Sequence, residues 1–134
     1  MSTQIAPMLA VSDGNAAVEF YKEAFGAEVV WKLGDEEIVA GLSIQGAKFF
    51  LAQEAPEYGT VGPARAGFTT VRIELFVADP VAVQRKAVAA GATERDDVTE
   101  YCYETEGPQQ IRRLLQGSVV DPFGHRWLIG KILE

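Results

Sequence analysis

Landmarks in the first half of the chain return in the second half in the same order. Val11 and Asp13 recur as Val77 and Asp79, 66 positions on, and Gly26-Ala27 recurs as Gly91-Ala92, 65 positions on. The run Gly46-Ala-Lys-Phe-Phe-Leu51 recurs as Gly124-His-Arg-Trp-Leu-Ile129, 78 positions on. A repeat of this kind means one supersecondary unit used twice, so the elements need be derived only once and then checked against the second copy. The added length falls between Thr99 and Gln109, a polar stretch rich in Tyr and Glu.

In the first copy, apolar residues dominate Ile5 to Val11. Ser12, Asp13 and Gly14 then offer capping chemistry, and Ala17, Phe20, Tyr21 and Ala24 fall at helical spacing over Asn15 to Phe25. Gly26 supplies a left-handed cap. Strands are expected at Ala27 to Leu33, Ile38 to Ile44 and Lys48 to Ala52, the last two joined by the Gln45-Gly46 turn. The second copy repeats this order: strand Thr69 to Val77, a helix opened by Asp79-Pro80 and running to about Ala90, then strands at Ala92 to Val98, Ile111 to Val120 and His125 to Leu133. The expected organisation is one domain, 1–134, of two βαβββ modules, 1–53 and 69–134, with a Pro- and Gly-rich linker at 54–68.

The strand from Val71 to Val77 alternates. Val71, Ile73, Leu75 and Val77 are expected to face a helix, while Arg72, Glu74 and Phe76 face the other way. The plain alternative is an ordinary solvated sheet face. Met8 and Ala10 take the matching places in the first module.

With a formal charge of −7 and no clustered Lys or Arg, the chain is not expected to bind nucleic acid. It has no apolar run long enough to span a membrane, no targeting segment at its start, and a single cysteine, Cys102, so a reducing, cytoplasmic setting is expected. Cys102 has acidic neighbours in Glu100 and Glu104, which disfavour a thiolate nucleophile. The lone histidine, His125, sits in a turn and is expected to be structural, as is Asp121.

Four segments carry a family resemblance: Val11-Ser-Asp13, Val18-Glu-Phe-Tyr-Lys-Glu-Ala-Phe-Gly-Ala27, Val77-Ala-Asp79 with Ala89-Ala-Gly-Ala92, and Val120-Asp-Pro-Phe-Gly-His-Arg-Trp127. Along its whole length the chain resembles the vicinal oxygen chelate superfamily, which includes glyoxalase I, extradiol dioxygenases and bleomycin-resistance proteins. The resemblance implies an α+β fold in which two βαβββ modules form a curved mixed sheet around a groove, and a homodimer. Metal-using members carry His, Glu or Gln at four strand positions, which here are Ala6, Phe50, Arg72 and Leu128. A methyl, a phenyl, a guanidinium and an isobutyl group supply no such donors, so neither metal nor other cofactor is expected.

The resemblance therefore points to a metal-free binding protein of the bleomycin-resistance type, with Met8, Trp31, Phe50, Arg72, Glu74, Phe76, Tyr101, Tyr103 and Leu128 around a small ligand. Arg72 and Glu74 would orient that ligand, and the acidic balance and the rings favour a cationic or aromatic one. Two alternatives stay open. One is an enzyme of the same superfamily with a lost or relocated metal and Glu74 as general base; the other is an interaction module without a small ligand. A salt bridge between Arg72 and Glu74 is expected to blunt Glu74 as a base.

Overall fold

The computed structural model describes residues 1–134, in two compact units, Met1–Thr69 and Thr70–Glu134. In the first, strand β1 (Met8–Val11) leads into helix α1 (Gly14–Phe25), followed by β2 (Glu28–Leu33), β3 (Val39–Ile44) and β4 (Ala47–Gln53). The strands form one mixed sheet in the order β1-β4-β3-β2, with β1 parallel to β4 and the other pairs antiparallel. A short helix α2 (Pro63–Ala66) ends this unit. The second holds β5 (Arg72–Phe76), α3 (Pro80–Ala90), β6 (Thr93–Cys102), β7 (Arg113–Val120) and β8 (Arg126–Ile132), in the sheet order β5-β8-β7-β6. The two copies thus share one topology, an α+β fold of two βαβββ modules.

Local chemistry explains the helix ends. Asp13 and Asp79 cap α1 and α3, each carboxylate accepting the N–H three residues on at 3.1 Å. Gly26 closes α1 at φ 68°, a conformation that costs a side chain dearly and glycine little. In α1, Ala17, Phe20, Tyr21 and Ala24 form the buried stripe, with Tyr21 meeting the Phe49 ring edge-on at 5.3 Å. Leu9, Val11, Leu42 and Leu51 complete that core. In the second unit Leu75, Val119, Trp127 and Ile129 are buried on the helix-facing side of the sheet.

Three expectations need correction. Strand β5 is shorter than Thr69 to Val77, and of its expected inward residues only Leu75 is buried, with Val71 exposed. Strand β1 starts at Met8, not Ile5. Strand β6 continues beyond Val98 to Cys102, so the first residues of the polar insertion are ladder residues paired with β7 through Tyr101–Leu114 and Cys102–Arg113.

Residues 54–68 hold a 3₁₀ turn at Pro56–Tyr58 as well as α2, pinned by one carboxylate. Glu54, its side chain 8% exposed, accepts from Gly62 N–H at 2.8 Å and from Arg65 Nε at 3.0 Å. The Gly62 amide first, and the Arg65 guanidinium second, hold its carboxyl below the ordinary glutamate value. A depressed folded-state value stabilises the clamp above the unfolded pKa and is lost as pH falls through the folded one. Amide exchange at Gly62 and Arg65 is therefore expected to speed up, beyond its intrinsic pH trend, on going from pH 6 to pH 3. In Glu54→Gln that extra acceleration should vanish.

Candidate functional site

In the first unit, Met8, Phe50, Gly41 and Trp31 stand in register across β1, β4, β3 and β2, a single row on the face away from α1. Gly41 is what lets the row close. A Cβ there would collide with the Trp31 indole, so its absence lets Trp31 lie across β3 and meet Phe50 edge-on, centroids 5.2 Å apart. Three residues expected at the site thus form one apolar, aromatic patch.

The equivalent positions of the second unit are chemically different. Leu128 pairs with Glu74, and Arg126 with Arg72, between parallel β5 and β8. Since Trp127 and Ile129 are buried toward the helix, Arg126 and Leu128 project from the other face, together with Arg72, Glu74 and Phe76. Here a cleft of about 290 Å³ is lined by Arg72, Glu74, Tyr103 and Leu128, with Thr105, Ile111, Leu114 and Gln116. Glu74 does not pair with Arg72, contrary to expectation. The two share one strand two residues apart, and the carboxylate instead accepts from Gln116 Nε2 across the sheet at 2.9 Å. The 105–111 loop that closes one end is held by Thr105, whose hydroxyl accepts from Ile111 N–H at 2.7 Å.

Of the expected site residues, Arg72, Glu74, Tyr103 and Leu128 meet in this cleft, and Tyr101 stacks on Tyr103 with centroids 6.3 Å apart. Phe76 lies on the same strand face, half exposed, outside the cleft lining. Met8, Trp31 and Phe50 make the separate row in the first unit. Gln116, Leu114, Thr105 and Ile111 were not legible as site residues; the alternation of Gln116 with the small Gly117 on β7 was the signal available for the first. A larger cavity, about 350 Å³, lies on the opposite side of the second sheet between α3 and β6, lined by Val81, Gln84, Arg85, Val88, Glu94, Asp97 and Val98.

The four positions that bear metal ligands in metal-using relatives do not fit a divalent ion. Ala6 precedes β1, Phe50 lies in the aromatic row, and Arg72 and Leu128 offer a cation and a hydrocarbon. No group of three or more His, Cys, Asp or Glu side chains converges elsewhere in a way that could hold one. His125 is buried in the β7–β8 turn, where its N–H donates to Asp121 at 3.0 Å, in keeping with a structural role. Cys102 is exposed on β6. No helix is long and apolar enough to cross a membrane.

Comparison with known proteins agrees with this architecture. An uncharacterised protein of Mycobacterium bovis is 32% identical over 133 residues, covering 95% of this chain and 82% of its own length. The structure of an Arabidopsis thaliana gene product superposes with a TM-score of 0.69 at 26% identity, covering 98% of this chain and all of that one. A glyoxalase-related enzyme from Fulvimarina pelagi superposes with a TM-score of 0.67 at 22% identity, covering 97% and 88% of the two chains. The model of the glyoxalase-like domain matches residues 7–129. On that match and on the paired βαβββ topology, this chain belongs to the glyoxalase-like domain family of the vicinal oxygen chelate superfamily.

Proposed function

We propose that this protein binds a small organic molecule without a metal, in the cleft on the face of the β5-β8-β7-β6 sheet. The observation that carries the reading is the make-up of that cleft: charged and amide groups at Arg72, Glu74 and Gln116 converge beside the apolar surfaces of Leu114, Leu128 and Tyr103. Ligand sites in general combine an apolar lining with a few placed polar groups. At about 290 Å³ the space suits a ligand of one ring and a substituent. Binding and sequestration need no more than this.

A second reading, a metal-independent enzyme with Glu74 as general base, draws on the freedom of Glu74 from any ion pair. Against it, the Glu74 carboxylate is already engaged by the Gln116 side-chain amide, which donates to it across the sheet.

Elemental analysis of the purified protein, joined to a thermal-shift screen, tests the proposal. The expected result is no stoichiometric metal, no stabilisation by Zn²⁺ or Mn²⁺, and a rise of about 5 °C with at least one of benzoate, phenylphosphonate, benzamide or benzylammonium at roughly ten times its Kd. That rise should vanish when Leu128→Arg fills the cleft. Stoichiometric zinc or manganese, or stabilisation unaffected by Leu128→Arg, would overturn it.

A further inference from the structure

The second sheet places two cations side by side and gives neither a partner. Arg72 and Arg126 are in register on neighbouring parallel strands and leave the sheet on the same face. Adjacent strands run about 4.8 Å apart, and like charges directly opposite each other destabilise a strand pair. Two of the five other arginines find carboxylates: Arg65 pairs with Glu54, and Arg113 with both Glu100 and Glu134. With 19 Asp and Glu against 12 Lys and Arg, acidic partners are plentiful. Yet no ion pair or hydrogen bond engages either guanidinium, and Arg126 Nε is buried without any partner. Glu74, one step along β5, is taken by Gln116 instead.

We propose that Arg72 and Arg126 form an oxyanion anchor, so that the ligand of this cleft is a small organic acid, a carboxylate or a phosphonate. This rests on the cleft being the ligand site. Arginines at paired positions of neighbouring strands can bring two planar N–H forks to one oxyanion, whose oxygens match the geometry of those forks. An anion between them also relieves the repulsion that the empty pair carries. Arg72 lines the cleft beside Leu128 and Tyr103, which places the ligand's apolar body against those side chains once its acid group is seated. Glu74, one step away, disfavours a second negative charge on the body and accepts an N–H or O–H from it.

Calorimetric titration of the full chain with benzoate, phenylphosphonate, benzamide and benzylammonium tests the anchor. Benzoate or phenylphosphonate should bind at least tenfold more tightly than the neutral and cationic isosteres, and the better of the two identifies the acid class. Arg72→Gln and Arg126→Gln should each weaken that binding tenfold or more and flatten its dependence on salt, with Arg126→Lys intermediate. Removing one of two opposed cations should leave the unliganded melting temperature unchanged or raised, which separates lost binding from lost folding. Arg95→Gln, outside the cleft, should bind as the parent does. If benzamide binds as well as benzoate, and Leu128→Arg abolishes both, the cleft is the site but the anchor is wrong. If benzoate binds equally in both Arg→Gln variants, the anchor is also overturned. If none of the four probes binds, the anchor and the cleft reading fail together.

Discussion

Asp121→Ala is expected to destabilise the protein by about 3 kcal/mol. The side chain is 4% exposed and serves as the hub of the β7–β8 turn. One carboxylate oxygen accepts from Phe123 N–H at 2.9 Å and His125 N–H at 3.0 Å, and the other from the Trp127 indole N–H at 3.0 Å. Truncation removes three hydrogen bonds at buried donors, and each such loss costs roughly 1–3 kcal/mol. Asp121→Asn separates charge from geometry. Its oxygen can still serve the two amides, but its NH₂ then faces the Trp127 N–H donor to donor, so about half the loss should remain. Urea unfolding curves at constant m-value give both numbers.

Gly117→Val should cost a comparable amount, about 3 kcal/mol. A Cβ at 117 would collide with Gln84 Oε1 and stand 2.8 Å from its Nε2. Gln84 is 2% exposed and cannot step aside, because Nε2 donates to Glu94 Oε1 and to the Asp96 carbonyl, both at 2.8 Å. These bonds hold α3 to the irregular first half of β6. Gln84→Ala alone should also destabilise, by orphaning its partners. The double variant makes room for the valine, so its loss should fall short of the two single losses combined by at least about 1 kcal/mol. Strict additivity would mean that the residues do not meet.

Most of the architecture was legible because it rests on local chemistry stated twice. Asp13 and Asp79 cap helices, Gly26 and Gly91 end them, and each copy corroborates the other. Strand β6 was legible only in part. Register shifts between Glu94 and Asp96 and between Asp96 and Thr99 break the two-residue period, and its exposed side chains carry no apolar alternation to announce the strand. What holds it there is the backbone ladder to β7, to which side-chain patterns are blind.

The candidate site was legible as a strand face but not as a contact set. Arg72 and Glu74 were correctly assigned to one side of β5, yet their pairing was misjudged, because Gln116 comes from a strand 42 residues away and only register brings it to Glu74. Arg126 escaped notice for the same reason. Its neighbour Trp127 is the conspicuous residue of that segment, while Arg126 matters through standing opposite Arg72. Net charge says little about the ligand, because charges beyond roughly 8–10 Å are largely screened in physiological salt, whereas Arg72 and Glu74 line this cleft directly.

Mapping of backbone amide shifts in ¹⁵N-labelled protein during titration with benzoate, and separately with phenylphosphonate, tests most directly whether the β5-β8-β7 face is the ligand site. The account predicts saturable shifts concentrated at Arg72, Glu74, Tyr103, Leu114, Gln116 and Leu128. Saturable shifts at Gln84, Val88 and Val98 instead, in the groove between α3 and β6, or none at any concentration up to 10 mM of either probe, would contradict it.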